Sequence, residues 1–265
     1  MALPPHAQEW MNRADIDYIG PFVKAWAAFN AWYRQASGAD QERAMLNFIV
    51  SHANSRLRMR CIPLLGPANT TSEAMALKQA VDDLHNRLDA IHFEVTRKNG
   101  GQERVSLREV CLQPRNLQHE SWTRNSHEYR ARKVQGGGIE VTVTATASGA
   151  IKFQHVQAEY RSNDLYAIPD FTANLSAAQQ TNLRRFYDGC NPRPMTDLVL
   201  GNGPELPLNI VTFRCTQAQL LAGLVETIYT MRNALLHGEV APDPEVLACY
   251  EPAYRIVMTF LGCVR

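Results

Sequence analysis

Along most of the chain, apolar side chains recur at steps of three and four, the period of a helix that buries one face. In Thr216–Gly238 the stripe is Leu221, Leu224, Ile228, Met231 and Leu235; near the N-terminus it is Ile19, Phe22, Trp26, Phe29 and Tyr33. A third runs through Met75, Leu77, Val81, Leu84, Leu88 and Ile91. The punctuation agrees with these helices. Thr216, Ser176 and Thr71 are good N-cap residues, Asp15 or Asp17 precedes the first helix, and Gly238 with Pro242 and Pro244 closes the last. After the break at Ser37-Gly38-Ala39, Asp40 can cap a helix running from Gln41 to about Met59, followed by a loop from Cys61 to Thr71. Strand period shows only in Ile139–Tyr160, where Ile139, Val141, Val143 and Ala145 alternate with polar residues and Ser148-Gly149 turns the chain. Asn99-Gly100-Gly101 reads as a turn, Pro169-Asp170 as an exit, and Asn191–Pro207 as a long loop of the kind that carries function. The pattern predicts a mainly α fold. Residues 15–98 and 177–265 together form one helical domain, and 99–172 is an inserted mixed segment with a β-hairpin at about 139–160.

Composition narrows the function classes. With 45% hydrophobic and 20% charged residues among 265, this is an ordinary globular chain. A net charge of +1 excludes a protein that is basic all over, so nucleic acid would have to be met by a local patch. No apolar run reaches the roughly eighteen residues of a membrane span, and MALPPHAQEW lacks the charged-then-apolar order of a leader. The six cysteines are scattered without a CxxC pair, as in a reduced, cytoplasmic protein with no membrane partner. His85 and His92, with Asp82 and Asp89 between and beside them, have the spacing of helix surface, not of converging ligands, and Gly136-Gly137-Gly138 lacks the context of a phosphate loop. The expectation is no metal and no cofactor.

Candidate chemistry gathers at the end of Thr216–Gly238. A second, polar stripe holds Glu226, Thr230, Asn233 and His237 at steps of four, three and four, with Arg232 on its flank. Asn30 lies beside the apolar stripe of the first helix, where an amide needs partners: either a nearby backbone group, or the polar stripe around Arg232 or His237. The plain reading of the helix end is structural, with Arg232 pairing an acid such as Glu226 or Glu239 and His237 favoured by the helix dipole. The chemical reading is metal-free RNA cleavage. That reaction needs proton transfer, for which an imidazole suits, and a cation for the crowded phosphorane oxygens, for which a guanidinium fork suits. His237 and Arg232 would take these roles, with Asn233 orienting His237 or a phosphate oxygen and Asn30, Glu226 and Thr230 in support. A second, weaker candidate is an RNA contact through Arg104, Arg108, Arg124, Arg130 and Arg132 with Trp122 and Tyr129, since single-stranded RNA takes cations for phosphate and aromatic faces for bases. The competing reading is solvated charge, as it is for Arg56, Arg58 and Arg60.

Arg232-Asn233-Ala234-Leu235-Leu236-His237 resembles the R-N-x-x-x-H motif of HEPN domains, many of which are metal-independent ribonucleases of toxin and antiviral systems. The motif closes a long amphipathic helix and is trailed by PDPEVLACYEPAYRIVMTFL, which reads as a packing helix. AWAAFNAWYR (Ala25 to Arg34) is similar to the aromatic first helix of several HEPN groups. The resemblance covers roughly Asp15–Lys98 and Ala177–Arg265. It implies a HEPN-like helical bundle and an endoribonuclease whose products carry 2′,3′-cyclic phosphate. It also implies a homodimer with two motifs facing across one composite cleft, which answers the difficulty of making one histidine perform both proton transfers. RNA is then the substrate, and an antitoxin or defence-system protein a further partner. The alternative is a HEPN-like module that binds RNA, a nucleotide or a partner without cutting.

Overall fold

The computed structural model describes residues 17–96 and 102–265, so Asp15, the N-terminal lead and the Asn99–Gly101 turn lie outside it. About half of the described residues are helical, and the strands form small antiparallel sheets. Among the described residues no helix is long and apolar enough to cross a membrane. The chain divides into two compact units, residues 1–112 with 195–265 and residues 113–194, each around its own hydrophobic core.

In the first unit, helix α1 (Ile19–Ser37) buries Phe22, Ala25, Trp26, Phe29 and Tyr33, the stripe its periodicity requires. Asp17 accepts the backbone N–H of Ile19, and Gly38 ends the helix in the left-handed region. The expected helix from Gln41 to Met59 is two: α2 (Glu42–Ser51) and α3 (Arg56–Leu64). Ser55 makes the break. In extended conformation, it donates its hydroxyl to the Ile49 carbonyl (2.6 Å) and accepts the N–H of Arg58, closing one helix and opening the next. Helix α3 also runs through Pro63, where a loop was expected. Arg58 donates to the carbonyl of Val50, Arg56 to that of Val264 and Arg60 to that of Arg265, so this cluster satisfies carbonyls at helix ends rather than facing solvent alone.

Helix α4 (Ser72–Ala90), capped by Thr71, leads to a short ribbon of β1 (Glu94–Thr96) and β2 (Gln102–Arg104). Far along the chain come the remaining parts of this unit: β7 (Glu205–Pro207), β8 (Thr212–Arg214), the long α8 (Gln217–His237), α9 (Pro244–Ala248) and α10 (Tyr250–Val264). Helix α10 packs against α1, α3 and α4, with Phe260 5.5 Å from Phe29 and Tyr250 5.2 Å from Phe22 between ring centres. Trp26 lies 6.3 Å from Tyr229, so the first helix and α8 share one core, as the two stripes predict.

The second unit holds a four-stranded antiparallel sheet in the order β3 (His119–Arg124), β4 (His127–Lys133), β5 (Ile139–Ala145), β6 (Ile151–Gln157). The hairpin at 139–160 is present as β5 and β6, but the residues before it, where no strand period was read, form a second hairpin of β3 and β4. Asn125 and Ser126, both at positive φ (49° and 60°), form its two-residue turn. Tyr129, Ala131, Val141, Val143 and Phe153 face a layer of α5 (Ser162–Ala167), α6 (Pro169–Ala173) and α7 (Ala177–Gly189), which supply Leu165, Phe171, Leu183 and Tyr187. Helix α7 carries the capping box at Ser176 but belongs here. The boundary expected near 172–177 therefore falls at 194, and the described residues 102–112 stay with the first unit.

Candidate active site

Helix α8 is fixed at both ends by its own sequence. At Thr216 the hydroxyl accepts the N–H of Gln219, whose side chain in turn accepts the N–H of Thr216, a reciprocal box that satisfies two orphan donors. At the other end Gly238, at φ 66°, donates to Leu235 while Glu239 donates to Ala234, the paired bonds of a Schellman turn. The Glu239 carbonyl then receives the N–H of Thr96, tying this end of the helix to β1. Met231 accepts a buried hydrogen bond from the Tyr250 hydroxyl (3.1 Å).

On the face turned to α2, positions 226, 229 and 232 succeed one another at steps of three. Glu226 pairs with Arg43, and the Arg43 guanidinium lies 5.0 Å from the centre of the Tyr229 ring. The Tyr229 hydroxyl donates to Glu42 (3.4 Å), and Glu42 also receives the Tyr33 hydroxyl at 2.5 Å. Burial first, and then this bond to a carboxylate, raise the Tyr33 phenol far above its ordinary range, so it remains a donor. The Arg232 Nη1 stands 3.7 Å from the same carboxylate and donates to the Asn233 Oδ1 at 2.8 Å. Its Nε is buried with no partner among the described residues. A cleft of about 160 Å³ opens here, lined by Asn30, Arg34, Glu42, Met45 and Arg232.

No family model, curated protein or solved structure matches this chain.

Arg232 and Asn30, distant in sequence, line one cleft, and Asn233 touches it through Arg232. Arg232 pairs with Glu42, not with Glu226, which is held by Arg43. Thr230 is buried in the helix and does not line the cleft. His237 is not part of the wall either: it is exposed at the last helical position, one turn beyond Asn233. Arg34, Glu42 and Tyr229 were not singled out by sequence, and Tyr33 was read only as part of the apolar stripe of the first helix. Asn30 and Arg34 stand four apart on α1, a spacing that could have raised Arg34, but nothing local ties Glu42 to Arg232.

The second candidate group is divided between the two units. Arg104 and Arg108 lie in the first unit and share Asp89, at 2.7 and 3.4 Å. In the second unit Arg130 pairs with Glu128 (2.8 Å) and Arg132 with Glu140, whose carboxyl the Arg132 and Gln154 bonds hold below its ordinary range. Tyr129 is wholly buried under α7, where Asn182 donates to its hydroxyl, so its ring has no face for a base. Trp122 is half-buried with the exposed Arg124 5.6 Å from its ring. Of the seven residues, Trp122 and Arg124 alone keep the stacking-and-cation geometry at a surface.

Proposed function

We propose that the protein is a metal-independent endoribonuclease of the HEPN type, acting as a homodimer. The observation that carries this reading is the seating of Arg232. Its guanidinium is oriented by Asn233 and Glu42, keeps a buried unpaired N–H, and forms one wall of a polar cleft beside Asn30. A preorganised donor fork in such a place stabilises charge that develops on a phosphorane at little reorganisation cost. His237 supplies the proton-transfer group and is accessible to a substrate chain.

In the proposed step a base takes the proton of a ribose 2′-hydroxyl, and that oxygen attacks the adjacent phosphorus. The P–O5′ bond breaks and the departing 5′-oxygen takes a proton. The products are a 2′,3′-cyclic phosphate and a 5′-hydroxyl. One exposed imidazole cannot easily serve as base and acid on opposite sides of one phosphorus. A two-fold dimer that brings two copies of Arg232 and His237 to one substrate supplies both. A toxin or antiviral role, and an antitoxin or defence partner, belong to the same proposal.

A specific observation favours a second reading. The Glu42 carboxylate partly neutralises Arg232, as it would in a module that holds RNA without cutting it. One experiment separates the two: purified protein incubated with total RNA in excess EDTA, wild type beside Arg232→Ala and His237→Ala. Cleavage by the wild type, reduced by two to three powers of ten (order of magnitude) in each variant with the fold retained, is the expected result. RNA bound and left intact sustains the binding module.

A further inference from the structure

Arg34 was outside the sequence motif, yet it shares the cleft with Arg232. It sits on α1 one turn after Asn30, so both side chains reach the cleft from the same helix face. It is exposed, and no carboxylate pairs with it among the described residues. On the other side Arg232 arrives from α8 with its buried, unpaired Nε. Between them lie an amide, Asn30, and one carboxylate, Glu42, which is already occupied by the Tyr33 and Tyr229 hydroxyls. Clefts that enclose a drug-sized organic ligand run to about 300 Å³ or more, and the roughly 160 Å³ here suits a phosphate group with its ester oxygens.

We infer that this cleft is a two-arginine phosphodiester subsite, in which Arg34 and Arg232 hold one phosphate of a single-stranded RNA from two sides while Asn30 donates to an ester or non-bridging oxygen. The inference rests on the ribonuclease reading for the identity of the chain that carries the phosphate. The recognition itself needs only the cleft. Glu42 is the post that keeps Arg232 aimed. Its one negative charge, shared with the Tyr33 and Tyr229 hydroxyls and 3.7 Å from Arg232, stands against two guanidinium charges, so the cleft stays net positive towards the opening. Arg34 accordingly contributes to binding a phosphate and takes no part in moving protons.

The test uses the full chain and a fluorescein-labelled, single-stranded 2′-O-methyl oligoribonucleotide, which has no free 2′-hydroxyl and so is bound but not cut. Fluorescence anisotropy is measured across a salt series for the wild type, Arg34→Gln, Arg34→Lys and, as a distant exposed cation on the same helix, Lys24→Gln. Arg34→Gln should weaken binding by about tenfold and reduce the slope of log affinity against log salt by about one, as loss of a single phosphate contact does. Arg34→Lys should keep most of the slope, and Lys24→Gln should match the wild type. No binding by the wild type, or an Arg34→Gln effect no larger than that of Lys24→Gln, overturns the subsite. The two proposals fail separately. Arg34-dependent binding with natural RNA left intact upholds the subsite and removes the nuclease. Cleaved RNA with an inert Arg34 does the reverse.

Discussion

Glu42 holds the Arg232 guanidinium by charge and is itself held by Tyr33, so in the proposed phosphoryl transfer its role is to position. Replacing it with Gln removes a negative charge from the cleft while loosening Arg232. The expected result is a lower kcat with a KM that stays the same or falls, because phosphate meets less repulsion while the transition state loses an aimed donor. Steady-state cleavage of a defined RNA reads both constants. A second residue, outside the cleft wall, sets a pH dependence. His85 is buried against Phe213, 5.8 Å between ring centres, with no hydrogen-bond partner at Nδ1 among the described residues. Burial lowers its affinity for a proton and Arg108 adds to that, against the opposing carboxylates of Asp89, Asp82 and Asp197. The unfolded chain therefore binds this proton at a higher pH than the folded one. Its contribution to stability is complete above the ordinary value of 6.5 and is lost as the pH falls through the lowered folded value. Between pH 7 and 5 the urea-unfolding free energy of the wild type should fall relative to that of His85→Gln, with a slope of at most about 1.4 kcal/mol per pH unit. Parallel curves would remove His85 from the account. Of these residues the sequence pattern reached Arg232, Asn233, His237 and Asn30, which a helix face or a motif marks. It did not reach Glu42 or Arg34, because a pairing made by tertiary packing leaves no local trace.

Elements were legible where periodicity and end signals agreed. Helix α8 is the clearest case, with its stripe, its Thr216 box and its Gly238 stop all readable in advance. Both caps are open to measurement. Thr216→Ala should cost about 1 kcal/mol of stability. Gly238→Ala should cost a similar amount, about 1 kcal/mol, through backbone strain alone, since φ is +66° and a Cβ there would meet nothing within 4 Å. Thermal unfolding that leaves both variants at the wild-type midpoint would mean that the helix ends are set by packing instead. Two elements escaped the pattern for definable reasons. The break between α2 and α3 has neither Gly nor Pro and depends on one serine bonding in two directions. Strands β3 and β4 show no clear strand period because His, Glu and Arg fill most of their positions, and Trp122, Tyr129 and Ala131 alone mark the buried face.

At the scale of the molecule, one unit is continuous in sequence and the other is assembled from both ends of the chain. The sheet and its helices, residues 113–194, have their own core, so this segment expressed alone should give a cooperative unfolding transition and dispersed amide resonances. A collapsed, non-cooperative fragment would show that the core at Tyr129 and Phe153 is not sufficient. The sequence pattern placed the boundary at 172, just past the Pro169-Asp170 exit. It missed that α7, amphipathic and well capped, has its apolar face of Leu183 and Tyr187 spent on this sheet. For the whole chain, light scattering at working concentration should give the mass of a dimer, and a fully active monomer would remove the composite site.

The central claim is the chemistry, and end-group analysis tests it most directly. A defined oligoribonucleotide and its counterpart with a single 2′-deoxy substitution at the cleavage position are incubated in EDTA, and the products are weighed by mass spectrometry. The account predicts a 2′,3′-cyclic phosphate on the upstream fragment, a 5′-hydroxyl on the downstream one, no cut at the 2′-deoxy position, and loss of both products in His237→Ala. Cleavage that stops in EDTA and returns with magnesium, a cut at the 2′-deoxy position, or undiminished products from His237→Ala would contradict it.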